Sequence, residues 1–112
     1  MNYEIVTTED FDRNVKHLAK KYQSFFDDLE RFKKELLANP KMGSTLGGNA
    51  RKVRMSIASK GKGKRGGARV ITCNVLINIK NTDIYLLALY EKGEQESISG
   101  KEIEILKRRN GL

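Results

Sequence analysis

The sequence predicts an α+β fold: a small antiparallel (mixed) sheet packed against an N-terminal helical hairpin, in the order β-α-α-β-β-β-α. Three observations predict it. Residues 9–38 hold two adjacent stretches with apolar side chains at helical spacing, residues 52–90 hold apolar runs suited to strands, and a short stretch with its own start and stop signals closes the chain. At 112 residues and 38% hydrophobic composition, one core and a single domain over residues 1–112 are expected.

Taken in order, Tyr3-Glu4-Ile5-Val6 reads as an opening strand. Thr7 or Thr8 can cap a first helix, whose first turn carries Glu9 and Asp10 at the positive end of the dipole and whose apolar stripe is Phe11, Val15, Leu18, Ala19 and Tyr22. A second helix starts at Ser24, with Asp27 three residues on as a variant capping box, carries Phe25, Leu29, Phe32 and Leu36, and ends at Asn39-Pro40. Gly43 to Asn49 is a loop. In Lys52-Val53-Arg54-Met55-Ser56-Ile57 the alternation is of period two: Val53, Met55 and Ile57 on one side, Lys52, Arg54 and Ser56 on the other. Ser59 to Gly67 reads as an exposed, mobile, basic loop. Ala68 to Ile79 and Ile84 to Tyr90 are strands joined by an Asn81-Thr82-Asp83 turn. The last helix begins near Ser99, with Glu102 completing a capping box, and stops at Asn110-Gly111. All helices are expected on one face of the sheet.

Net charge is +8, and its placement says more than its size. From Lys41 to Thr82 there are ten Lys or Arg and no Asp or Glu, which leaves 12 basic against 14 acidic residues elsewhere. Crowded cations repel one another, so a polyanionic partner is expected: nucleic acid, an anionic membrane or an acidic protein. Cys73 is the only cysteine, which excludes an intramolecular disulfide and fits a reducing cytoplasm. The segment Met1 to Glu4 opens a structured element, so no signal peptide is expected, and no apolar run approaches a membrane span.

With one His (His17, read as a surface residue) and one Cys, no metal site of the usual soft-ligand type can be assembled. There is no nucleophile elbow and no Ser/His/Asp set. Gly61-Lys62-Gly63-Lys64-Arg65-Gly66 fits GxGxxG by letter, but a strand follows where the dinucleotide fingerprint needs a helix. It reads as a basic loop able to approach a backbone phosphate, or as a solvated hairpin loop; Arg51, Lys60, Lys62, Lys64 and Arg65 are its candidate nucleic-acid contacts. Lys52 and Arg54, two apart on a strand, project from one face about 7 Å apart. Arg69 joins them if the basic loop closes a hairpin, which makes either a phosphate-binding surface or a solvent-facing sheet face. After the last strand, within Tyr90-Glu91-Lys92-Gly93-Glu94-Gln95-Glu96, Tyr90 can stack on a base or donate a proton and Lys92 can stabilise charge; the alternatives are an edge plug and an ion pair with Glu91 or Glu94.

The opening strand and helical hairpin, Lys52-Val53-Arg54, the basic loop, Gly66-Gly67-Ala68-Arg69-Val70-Ile71 and Ile84-Tyr85-Leu86-Leu87-Ala88-Leu89-Tyr90-Glu91-Lys92 together resemble the RelE/ParE toxin superfamily, in particular HigB-like members of the RelE branch. The resemblance spans nearly the whole chain. It implies a microbial-RNase-like fold and a metal- and cofactor-independent endoribonuclease that enters the ribosome and cuts mRNA. The 2′-hydroxyl of a nucleotide attacks its own phosphate, giving a 2′,3′-cyclic phosphate and a 5′-hydroxyl end. The resemblance assigns Arg54 and Arg69 to the phosphate and makes Lys52 the candidate base, which requires a lowered pKa. Tyr90 or Lys92 is the candidate acid. Some members carry a tyrosine near the C-terminus that orients or activates the nucleophile; this chain has none after Tyr90, so the acid and base remain open. The implied partners are the ribosome, mRNA and a cognate antitoxin, HigA-like with a helix-turn-helix, through which the pair reaches operator DNA. A ParE-like gyrase inhibitor and a non-catalytic module that binds nucleic acid or antitoxin are the alternative readings.

Overall fold

The computed structural model describes residues 1–95 and 97–112; Glu96, which closes the charged stretch after the last strand, lies outside the described residues. The elements are β1 (Asn2–Thr7), α1 (Glu9–Lys21), α2 (Phe25–Ala38), β2 (Ser44–Thr45), β3 (Ala50–Met55), a 3-10 turn (Ala58–Lys60), a one-turn α3 (Gly63–Gly66), β4 (Ala68–Asn78), β5 (Asn81–Glu91) and α4 (Gly100–Arg109). The fold is α+β. Its five-stranded mixed sheet runs β1-β5-β4-β3-β2, with β1 parallel to β5 and every other pair antiparallel. Among the described residues no helix is long and apolar enough to cross a membrane.

The caps explain where the outer helices begin. Thr8 Oγ1 accepts from the Phe11 N–H (3.3 Å) and donates to the Leu86 carbonyl (2.8 Å), so one hydroxyl starts α1 and ties it to β5. Ser99 Oγ accepts from the Glu102 N–H (3.1 Å), the first half of the expected capping box, while the Glu102 carboxylate turns to the Ser99 hydroxyl (3.2 Å). Ser24 does not cap α2 in this way. Its hydroxyl turns instead to the Asp28 carboxylate (2.7 Å), which also accepts from the Ala58 N–H (3.0 Å) and so fastens α2 to the 3-10 turn.

Several expectations need correcting. Part of the Gly43–Asn49 loop is a strand, β2, paired with Lys52 and Arg51. The strand expected over 52–57 is shifted to 50–55. The hairpin turn sits at Ile79-Lys80, because Asn78 Oδ1 accepts from the N–H groups of Lys80 (2.9 Å) and Asn81 (3.0 Å), which frees Asn81 to Asp83 to join β5. The basic loop is folded into two short helical turns, and Gly67 is buried where a Cβ would stand 2.1 Å from the Met55 carbonyl oxygen. Finally, the helices occupy both faces. One cluster joins α1 and α2 to Val53, Met55, Val70, Ile84, Leu86 and Leu89; the other joins Ile103 and Leu106 of α4 to Ala50, Ile71, Cys73, Leu87, Ala88 and Tyr90.

A β-bulge reverses the facing of β5 partway along the strand. Ile71 pairs with Ala88 but Thr72 pairs with Leu86, leaving Leu87 as an extra residue on β5. Leu87 and Ala88 therefore both pack toward α4, and the alternation beyond them is reversed: Leu89 and Glu91 face α1, Tyr90 faces the α4 side.

Candidate nucleic-acid interface

Lys52 and Arg54 share the face of β3 opposite Val53 and Met55, as the alternation predicts. The β3–β4 register sets Arg54 directly opposite Arg69, and the β4–β5 register, displaced by the bulge, sets Arg69 opposite Tyr90. The row Arg54–Arg69–Tyr90 thus crosses three strands on the α4 side of the sheet. Its two arginines line an open groove of about 630 Å³, walled by Met42, Gly43, Ser44, Lys52, Val53, Arg54, Lys64, Arg69 and Lys92. Five of these nine are cations, and no described carboxylate lines the groove.

Arg69 is the buried member, 7% exposed. Its guanidinium donates through Nη1 to the carbonyls of Lys64 (3.2 Å) and Ala68 (3.1 Å), and through Nη2 to that of Arg65 (2.9 Å). The short turn α3 thereby presents backbone oxygens to a buried charge that has no carboxylate partner among the described residues. Burial, and then the charge of Arg54, push its pKa below the usual arginine value, while Tyr90 pulls it back up. Two like charges directly opposite on a ladder are destabilising, so these carbonyls hold an arrangement that the strand pair alone does not favour.

Tyr90 is also 7% exposed, and its hydroxyl has no hydrogen-bond partner among the described residues. Burial pushes its pKa up, offset in part by Arg69. It lies beside Arg69 but outside the groove wall. Lys92 is exposed and reaches the groove, its backbone N–H donating to the Gly67 carbonyl (3.0 Å).

The structure divides the loop candidates. Arg51 is on the α2 side of β3 and donates to the Lys41 carbonyl (2.8 Å), away from the groove. Lys64 lines the groove but pairs with Glu35 (2.8 Å). Lys62 and Arg65 are exposed. Lys60 is bound to Glu91 at 2.7 Å. Two of the ten cations in the acid-free stretch are therefore met by carboxylates that fold in from elsewhere. His17 is exposed and contacts Glu94 at 3.3 Å. Among the described residues no group of three or more His, Cys, Asp or Glu converges to hold a metal ion.

Sequence reasoning offered Glu91 as an ion-pair partner of Lys92 and missed its actual place. Its side chain is 5% exposed and receives Lys21 (2.8 Å), Lys60 (2.7 Å) and the Tyr22 hydroxyl. Burial pushes its carboxyl up, but the hydrogen bonds from Lys21, Lys60 and Tyr22 outweigh that and hold it well below the usual carboxylate range. The available signal was an acid at the end of an apolar strand, facing the same way as Leu89. No known protein-family model matches this chain.

Proposed function

We propose that this protein is a RelE-type toxin of a type II toxin–antitoxin pair, an endoribonuclease that inhibits translation by cutting mRNA on the ribosome. The observation that carries the reading is the groove beside Arg54 and Arg69, where cations converge without a described carboxylate on its walls. A phosphodiester is the group such a wall accommodates best, because it neutralises charge that the protein leaves uncompensated. The finer topology in this reading is the microbial-RNase-like RelE arrangement, a small sheet packed against an N-terminal helical hairpin.

In this reading Arg54 and Arg69 take the scissile phosphate and stabilise the charge that develops on it. Lys52 is the base, taking the proton of the 2′-hydroxyl as that oxygen attacks its own phosphorus. The P–O5′ bond breaks, Lys92 supplies a proton to the departing 5′-oxygen, and the products are a 2′,3′-cyclic phosphate and a 5′-hydroxyl end. Tyr90, sealed beside Arg69 and off the groove wall, supports that arginine. The implied partners are the ribosome, mRNA and an adjacent-encoded antitoxin of HigA type.

The test is 5′-end mapping of mRNA on purified ribosomes with wild type and the Lys52→Ala, Arg54→Ala, Arg69→Ala and Lys92→Ala variants. Cleavage within codons that each substitution lowers at least tenfold supports the reading. Intact mRNA with wild type overturns it; gyrase-dependent DNA damage in cells that express the protein then points to the ParE branch, and RNA binding without cutting to a non-catalytic module.

A further inference from the structure

Lys60 belongs by sequence to the basic loop, yet it is not placed as a surface cation. Its side chain is 13% exposed. Its ammonium donates to Glu91 Oε2 (2.7 Å) and to the backbone carbonyl of Lys92 (3.0 Å). The Lys92 N–H is held in turn by the Gly67 carbonyl (3.0 Å), and Gly67 is wedged beneath the end of β3. The main chain at Lys92 is therefore gripped on both sides, by Gly67, the residue before β4, through its N–H and by the 3-10 turn through its carbonyl.

Glu91 makes that second grip firm. Its carboxylate gathers Lys21 and Tyr22 from the end of α1 as well as Lys60, so three segments distant in sequence meet one residue before Lys92. A buried ion with several donors is expensive to disturb, which makes the cluster rigid.

We infer that Lys60 is a positioning residue: acting through Glu91 and the Lys92 carbonyl, it fixes the chain from which Lys92 reaches the groove, and it is not itself a contact for RNA. The role rests on the nuclease reading above. It differs from the bland alternative, a loop lysine that neutralises one phosphate, in a way that binding and turnover separate.

The experiment uses the full chain as wild type, Lys60→Met, Glu91→Gln and, as the exposed comparison from the same loop, Lys62→Met. Binding of an uncleavable single-stranded RNA oligonucleotide is measured against salt, and cleavage on ribosomes at saturating mRNA. A lost phosphate contact lowers the salt slope by about 0.7, which is the result expected for Lys62→Met. Lys60→Met is expected to keep the wild-type slope and to lose at least tenfold in turnover. A slope that drops in Lys60→Met as it does in Lys62→Met, or turnover that stays at the wild-type level, overturns the role. Glu91→Gln removes no cation, so it decides between the two roles if Lys60→Met does not fold: reduced turnover at unchanged slope supports positioning, and unchanged turnover overturns it. A wild type that cuts nothing is a different failure, which removes the nuclease reading and this role with it.

Discussion

Arg69 faces Arg54 across the ladder while its guanidinium donates to three backbone carbonyls on two sides. A lysine there keeps the charge but loses the planar fork that serves both sides at once. Arg69→Lys is therefore expected to lower mRNA cleavage on ribosomes about a hundredfold and to cost about 1–2 kcal/mol in urea unfolding; wild-type cleavage in this variant would show that charge alone is what the position supplies. Tyr90 gives the opposite kind of expectation. Its buried hydroxyl has no described partner, and a buried group left unmade costs free energy. Tyr90→Phe is expected to leave stability unchanged or raise it by up to about 1 kcal/mol, with cleavage within about threefold of wild type. A large loss of cleavage without a loss of stability would move the hydroxyl into the chemistry.

At the scale of elements, Glu91 joins the end of α1, the 3-10 turn and the end of β5. Its folded-state pKa lies below the ordinary carboxylate value, so its contribution is fully present above the unfolded pKa and is lost as pH falls. Unfolding free energy is expected to be level near neutral pH and to decline below about pH 5. In Glu91→Gln that acid decline is expected to be shallower, on a protein less stable at neutral pH by about 2–4 kcal/mol; urea melts across pH check both. Much of the layout was legible because it rests on local rules. The Thr8 and Ser99 caps, the α1 stripe and the Lys52/Arg54 alternation are all short-range patterns that later packing did not override. The rest depended on partners far away in sequence. Ser24 was drawn to Asp28 and Ser59, β2 became a strand only because β3 offered it an edge, and α4 chose its face by which side of β4 and β5 was left apolar. Within the site, the convergence of Lys52, Arg54 and Arg69 was readable, whereas the Lys60–Glu91 pair, spanning 31 positions, left no local trace.

For the molecule as a whole, the charge of +8 is less uniform than its total suggests, since carboxylates answer Lys60 and Lys64 while the groove keeps Lys52, Arg54, Arg69 and Lys92 without a described carboxylate partner. Four phosphate contacts to a single strand, from Arg54, Arg69 and Lys92 at the groove and from Lys62 in the basic loop, give a salt slope of about −3, so affinity for an RNA oligonucleotide is expected to fall about fiftyfold between roughly 50 and 200 mM salt. A slope near zero in a fluorescence titration would mean that the groove does not hold phosphates. The extra residue in β5 governs what that groove contains. Past Leu87 every side chain has swapped sides relative to the first half of the strand. Remove one residue there and the parity reverts: the acid now sealed against α1 would swing to the phosphate side, and the tyrosine and lysine that flank it would turn away. A single count in one strand thus decides whether a carboxylate or a lysine joins the cations of β3 and β4 on this surface.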